Sequence, residues 1–349
     1  MTTVAHAFAN QDTYCRANGA PLTASVVRTA FAALERGTAL GDAVLGWKGD
    51  PLADVVPLRL AAGMRALHLG GETRLDDLYA NRLTRAESAV VVADVIANRG
   101  DEIVPWLAHP PQTNEAGRSA GFMAALLYLS GQGLPGKFEL IEIGSSAGIN
   151  LMMDRFRFTL DGVTCGPVES PVHLSPRWDG APPPDAPVAI ASLRGCDVAP
   201  LDLRDAGDRV KLAAYVWPEM KARVERLQAV FALAETRAPS VFRADAAAFV
   251  KAALAQEQQV GTTRVLMHSL VWQYLPDDTK AQIADAMEAA GQRATADRPM
   301  AWISLEGDRT LLKHRLRFRY WPDGGDWTEL AHAHAHGGWI EWLAGEEGA

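Results

Sequence analysis

Apolar positions recur at helical spacing through the first third of the chain, and then the period changes. Residues 25–34, 58–67, 84–98 and 119–129 place apolar side chains three and four apart, which predicts helices that each bury one stripe. Asn18-Gly19, Gly49-Asp50-Pro51, Gly70-Gly71 and His109-Pro110-Pro111 punctuate them. No strand pattern precedes Phe138. From there short apolar runs appear at 138–143, 188–193, 240–243, 264–268 and 300–305. Segments with helical patterning, 149–156, 206–235, 246–257 and 278–290, alternate with them. That alternation predicts a doubly wound, mostly parallel sheet with helices on both faces.

The end of the chain follows another rule. Leu316, Phe318 and Tyr320 alternate with Arg315, Arg317 and Arg319. Pro322-Asp-Gly-Gly325 then turns the chain into residues 328–335, which predicts a closing antiparallel hairpin. Residues 157–187 hold Gly162, Gly166 and Ala181-Pro-Pro-Pro184, and read as an irregular insertion between the first two strands. The predicted organisation is a helical cap domain over 1–111 and an α/β domain over 112–349.

Composition narrows the function classes. The formal net charge of −8 argues against a general nucleic-acid-binding face, which needs a basic surface. Cys15, Cys165 and Cys196 are widely separated and form no CxxC pair, which suits a reducing compartment. The N-terminus lacks a basic region followed by an apolar run, and no stretch approaches the roughly 20 apolar residues of a membrane helix. The expectation is a cytoplasmic protein that acts on a small molecule, with neither nucleic acid nor membrane as partner. Nothing in the sequence sets the oligomeric state.

Glu142-Ile-Gly-Ser-Ser-Ala-Gly-Ile-Asn150 carries the most chemistry. A strand, a small-residue turn and a helix start form a ligand loop in α/β proteins. The same residues spell G-x-S-x-G, the nucleophile elbow of α/β-hydrolases, with Ser146 as nucleophile. That reading has nominal partners in Asp245 or Asp278, then His332, His334 or His336, and an oxyanion-loop candidate in His68-Leu-Gly-Gly71. A bare strand-to-helix turn is the third alternative. Element order weighs against the hydrolase, which places strands before its nucleophile. Glu142 favours the ligand loop, since it can accept hydrogen bonds from a cationic or amine-bearing ligand. A P-loop would need Lys-Ser/Thr after the last glycine.

Other polar clusters admit two readings each. His268, at the end of a predicted strand, is either a general base or a hydrogen-bonded structural residue. Trp272 and Tyr274 either stack on a planar substrate or fill core; Gln273 lies between them. In Gln112-Thr-Asn-Glu-Ala-Gly-Arg118, Thr113 or Asn114 caps a helix with Glu115 in its first turn and Arg118 solvated. Alternatively Asn114, Glu115 and Arg118 form a polar lid, with Arg118 gripping a carboxylate or phosphate. His332, His334 and His336 would share one face of a strand, but no partner at a familiar spacing points to metal. Arg315, Arg317 and Arg319 form either a solvated edge or a site for an acidic substrate.

From residue 112 to about 345 the chain resembles the class I S-adenosylmethionine-dependent methyltransferases. Along nearly its whole length it more closely resembles an uncharacterised bacterial domain family with that fold. The residues carrying this are Gln112 to Arg118, Glu142 to Asn150, Arg194-Gly-Cys-Asp-Val-Ala-Pro-Leu-Asp202, Trp217-Pro218, His268-Ser269, Gln273-Tyr274 and His336-Gly337. The resemblance implies a Rossmann-like sheet ending in an antiparallel hairpin, and S-adenosylmethionine as cofactor. Glu142, Gly144, Ser145, Ser146, Gly148 and His268 would line the cofactor, with Ser146 standing where the family pattern has its middle glycine. Asp197, or Asp202, would meet the ribose, and Asp245 the adenine. His268 and Tyr274 would be catalytic. Asn114, Glu115, Arg118, Trp272 and Gln273 would hold the methyl acceptor. A non-catalytic or regulatory ligand-binding protein on the same fold is the alternative outside enzymes.

Overall fold

A computed structural model of the chain describes residues 2–308, 311 and 313–344. In chain order, α1 (Val4–Ala17), α2 (Pro21–Ala32), α3 (Ala39–Leu45), α4 (Val56–Leu69), α5 (Asp76–Tyr79), α6 (Arg85–Arg99), α7 (Val104–Leu107) and α8 (Ser119–Gly131) come first. Strand β1 (Lys137–Ile143) follows, then β2 (Arg157–Leu160), β3 (Val163–Cys165), β4 (His173–Leu174), β5 (Arg177–Asp179) and β6 (Ala189–Asp197). Next are α9 (Ala206–Ala214), α10 (Lys221–Thr236), β7 (Val241–Arg243), α11 (Ala246–Leu254), β8 (Thr263–Ser269) and α12 (Asp277–Gly291). The chain ends with β9 (Met300–Asp308), β10 (Lys313–Trp321), β11 (Thr328–Ala333) and β12 (Trp339–Trp342).

The chain forms two compact units. The first comprises residues up to Thr113 together with Asp205–Gln228; the second comprises Asn114–Arg204 and the chain from Ala229 on. Among the described residues the first unit is all-helical. Phe8, Val26, Leu40, Leu60, Met64, Val92 and Ile103, from five of its helices and a connecting turn, form its core. Helix α6 starts on a capping box: Thr84 accepts from the Glu87 N–H while the Glu87 carboxylate accepts from the Thr84 N–H. The sequence pattern of 206–235 predicts one helix, but there are two. Trp217-Pro218 lies between them, where proline removes a backbone donor and pushes the preceding residue out of the helical region.

The second unit holds a nine-stranded sheet in the order β5-β12-β11-β10-β9-β8-β1-β6-β7. Strands β7, β6, β1, β8 and β9 run parallel, and β9, β10, β11 and β12 continue as an antiparallel meander. Central strands β1 and β8 are buried almost throughout, which is why they read as continuous apolar runs. The chain leaves β1 toward β6 and β7, then returns to the other side at β8, so the reversal lies between the C-terminal ends of β1 and β8. Open α/β sheets bind ligands at that point.

Pleat alternation divides side chains between the two faces. Ile141, Ile143, Leu266, Met300 and Trp302 pack with Val250 of α11 and Ile283 and Met287 of α12. On the opposite face, Phe318 meets Tyr128 of α8 at a ring separation of 5.4 Å. A buried ion pair, Arg264 to Glu139 at 2.8 Å, lies on the α11 side. Arg264 also donates to the carbonyls of Gln256 and Glu257, just past the C-terminus of α11, where a cation is favoured.

Three local expectations are corrected. Residues 157–187 are not irregular: β3-β2-β4 form a small sheet, and β5 pairs with β12 at the edge of the large one. Residues 149–156 form a tight 3₁₀ turn (Asn150–Arg155) instead of an α-helix. The arginine-bearing strand β10 is no solvated edge, since it pairs with β9 on one side and β11 on the other. There Arg315 pairs with Glu329 and Arg319 with Glu288, while Arg317 lies over the Trp327 ring at 5.2 Å.

Candidate functional site

The turn after β1 is built from left-handed backbone. Gly144, Ser146 and Gly148 have φ of 65°, 52° and 75°. Glycine adopts that region freely, whereas a serine pays of order 1 kcal/mol. Ser146 therefore occupies a position whose conformation favours glycine. Close packing sets the other two: a Cβ on Gly144 would lie 2.3 Å from Val271, and one on Gly148 would lie 2.6 Å from Val241. The loops after β1 and β8 thus touch at the reversal of strand order.

Asp197, at the end of β6, holds this turn. One of its oxygens accepts from the Ser146 N–H at 2.9 Å and the other from the Ala199 N–H at 2.8 Å. Each oxygen keeps a second acceptor position. The Ser145 N–H donates to the Cys196 carbonyl at 3.0 Å, and the Leu201 N–H to the Ser146 carbonyl at 3.3 Å. The Ser146 hydroxyl is buried and has no hydrogen-bond partner.

Glu142 lies on the α8 face and is 1% exposed. The Asn150 amide donates to its Oε1 at 2.8 Å, and the Ser119 hydroxyl donates in turn to Asn150 Oδ1 at 2.8 Å. Oε2 is buried with no partner. Burial raises the carboxyl pKa; the Asn150 bond, the nearby Ser145 hydroxyl (which donates to the Glu142 carbonyl at 3.2 Å) and the Arg118 charge pull the other way, and the balance leaves it at about 7. Arg118 is buried rather than solvated and donates from Nε to the Ala335 carbonyl at 3.0 Å. Glu142 and the Arg118 guanidinium are thus both buried, and the Arg118 charge reaches the acid.

The segment before α8 differs from the capping arrangement expected. Glu115, not Thr113 or Asn114, accepts from the Gly117 N–H at the start of a 3₁₀ turn. The Asn114 side chain instead accepts from the Ile149 N–H at 2.9 Å, which ties this segment to the glycine turn.

His268 is on the other face and is 2% exposed. Its Nδ1 lies 2.7 Å from Glu306 Oε1, while Nε2 is buried without a partner. The ring stacks on Trp272 at 5.0 Å and meets Trp302 edge-on at 6.1 Å. Glu306 also accepts the Val271 and Trp272 N–H groups at 3.1 and 3.2 Å. Leu270, with φ of 53°, makes the turn that directs both donors there. Beyond Glu306, His314 on β10 feels its charge; burial, then Arg118 and His334, hold the His314 pKa below its ordinary value. Trp272 packs against His268 and Trp302, whereas Tyr274 is 66% exposed and Gln273 is exposed.

Glu306 and His314 were missed from sequence. The available signal for Glu306 was the one that marked Glu142, an acid ending an apolar strand. Asp245 is exposed and caps α11 through the Ala248 N–H, and Asp202 pairs with Arg204. His332 lies in β11, paired with Glu329 and Glu341, but the strand ends at Ala333, so the three histidines do not share a strand face. Among the described residues no group of His, Cys, Asp or Glu is arranged to hold a metal ion. His68 is in the last turn of α4, not in a loop, and Arg65 and Asp76 flank it. The three cysteines are free, and burial pushes the Cys196 thiol up to about 12. Among the described residues no helix is long and apolar enough to cross a membrane.

A Rossmann-like α/β sheet with a glycine turn at its strand-order reversal defines the class of protein. Within that class, the chain belongs to DUF2332, a family described as an uncharacterized protein conserved in bacteria, whose sequence model matches residues 5–342. No curated protein matches the chain, and no solved structure does.

Proposed function

We propose that the second unit binds S-adenosylmethionine and transfers its methyl group to a small-molecule acceptor. The observation that carries this reading is the unpartnered oxygen of Glu142, a fully buried carboxylate beside three left-handed turn positions. An orphaned buried acceptor fits an ammonium group, and the buried Arg118, whose charge reaches Glu142, fits a carboxylate, so together they suit the amino-acid end of this cofactor. Asp197 retains acceptor positions for ribose hydroxyls. Asp245, next to the end of β7, is the residue for the adenine edge.

When bound, the cofactor supplies an electrophilic methyl on a sulfonium. The chain's own work is alignment and exclusion of water, which accounts for much of the rate in such reactions. His268 is the residue suited to take a proton from the acceptor, whose contacts would come from Asn114, Glu115, Arg118, Trp272, Gln273 and Tyr274. Calorimetric titration with S-adenosylmethionine and S-adenosylhomocysteine tests the reading. Saturable heat with both is expected, and no heat at millimolar ligand would overturn it.

One observation favours a second reading. A left-handed serine after a strand is what a nucleophile elbow requires. Against it, the Ser146 hydroxyl has no hydrogen-bond partner and a 3₁₀ turn follows instead of an α-helix. Labelling of Ser146 by a fluorophosphonate would establish the hydrolase.

A further inference from the structure

We propose that Glu306 is a positioning residue that holds His268 as its Nδ1–H tautomer, leaving Nε2 as the proton-accepting atom of the site. The inference rests on the reading of His268 as the base. It goes beyond that reading by naming the residue that sets which nitrogen acts, and the class of group it acts on, an acceptor O–H or N–H.

Glu306 Oε1 lies 2.7 Å from His268 Nδ1. The same oxygen accepts two backbone N–H groups, from Val271 and Trp272, so the main chain fixes its position. An ionised carboxylate only accepts, so Nδ1 must donate. In a neutral imidazole, a proton on Nδ1 leaves a lone pair on Nε2. That Nε2 is buried and without a partner, a state that buried polar atoms rarely show in folded proteins.

Two indole rings pack against the imidazole. Trp272 covers one side at an interplanar angle of 21°, and Trp302 meets it at 63°. The left-handed backbone at Leu270 is a second, independent observation. It is a non-glycine residue held in a disfavoured region, in the turn that brings the Val271 and Trp272 donors onto Glu306. Backbone strain of this kind concentrates where geometry serves function.

The chemistry balances simply. The proton of an acceptor O–H or N–H passes to His268 Nε2, and the bonding pair stays on the acceptor atom. The imidazolium so formed faces the Glu306 carboxylate through Nδ1–H, and it returns to neutrality by releasing a proton to water.

The test is nitrogen NMR on the full-length chain labelled at its nine histidines, with the His268 signals assigned by their loss in His268→Gln. The neutral ring is expected to carry its proton on Nδ1, with Nε2 bare. Glu306→Gln can present an amide N–H to the ring, so an Nε2–H population should appear. A proton on Nε2 in the wild-type chain, or an unchanged tautomer in a folded Glu306→Gln, overturns the proposal. Should Glu306→Gln not fold, the wild-type spectrum decides alone. The readout is independent of cofactor binding: Nδ1–H with no calorimetric response would remove methyl transfer and leave the role of Glu306 supported.

Discussion

Asn150 donates to one oxygen of Glu142 at 2.8 Å and leaves the other, buried, oxygen without a partner. The pair fixes the carboxylate's orientation without fully solvating it. A hydrogen bond to a charged group contributes about 2–3 kcal/mol, which falls short of the cost of burying an unpaired charge. The site is therefore poised to gain from a cationic partner.

That imbalance gives stability a pH dependence of definite sign. Glu142 has a folded pKa of about 7, above the ordinary 4.5, so the native state keeps a proton that the unfolded chain has already lost. The contribution is complete below about pH 4.5 and is lost as the pH rises to about 7. Over that window this group should remove roughly 3 kcal/mol of stability. Urea midpoints across the window should fall more steeply for the wild type than for Glu142→Gln; parallel curves would refute the assignment.

The glycine turn should respond unequally to its small residues. Ser146→Gly relieves a left-handed serine but loosens the unfolded chain, so stability should change by less than about 1 kcal/mol. Gly144→Ala adds a Cβ 2.3 Å from Val271 at a φ of 65° and should cost roughly 2–4 kcal/mol. Thermal unfolding of the two variants distinguishes them, and similar melting temperatures would show that the turn is not the rigid element described.

On the proposed reading, affinity for S-adenosylmethionine should depend on Asp197 more than on Asp245. Asp197 holds the Ser146 N–H, whereas Asp245 is an exposed helix cap. Asp197→Ala removes a charge-assisted hydrogen bond and should weaken S-adenosylmethionine binding roughly 10- to 100-fold. Asp245→Ala should weaken it less. Calorimetric dissociation constants measure both, and the reverse ranking would relocate the ribose contact.

The ion pair beneath the sheet is structural. Arg264→Met leaves Glu139 charged and buried and strips donors from the carbonyls after α11, so it should cost about 3–5 kcal/mol. Glu139→Gln with Arg264→Met should recover part of that loss. A double-mutant cycle in urea measures the coupling, and additive losses would argue against a direct pair.

Much of the architecture was legible along the chain. The run from Phe138 to Ile143 announced a strand buried on both faces, and Leu316, Phe318 and Tyr320 announced one with two unlike faces. Period follows directly from backbone geometry, so it survives in one dimension. The glycine turn was legible for the same reason, since φ preference belongs to a residue and its neighbours. Local patterning failed at Asn150–Arg155, where a helical spacing became a 3₁₀ turn, and in 157–187, where strands too short to show a period pair with distant partners.

The sequence by itself determined the alternation of strands and helices, the turn at Gly144–Gly148 and the acid at Glu142, because each is a local property of side chain or backbone. Only the tertiary structure decided that Glu142 and His268 face opposite sides of the sheet, that Arg118 is buried with its charge reaching Glu142, and that Glu306, 38 positions from His268, supplies its partner. The physical reason is register. Pairing β8 with β9 sets which strand ends lie side by side, and the pleat then assigns each side chain to a face.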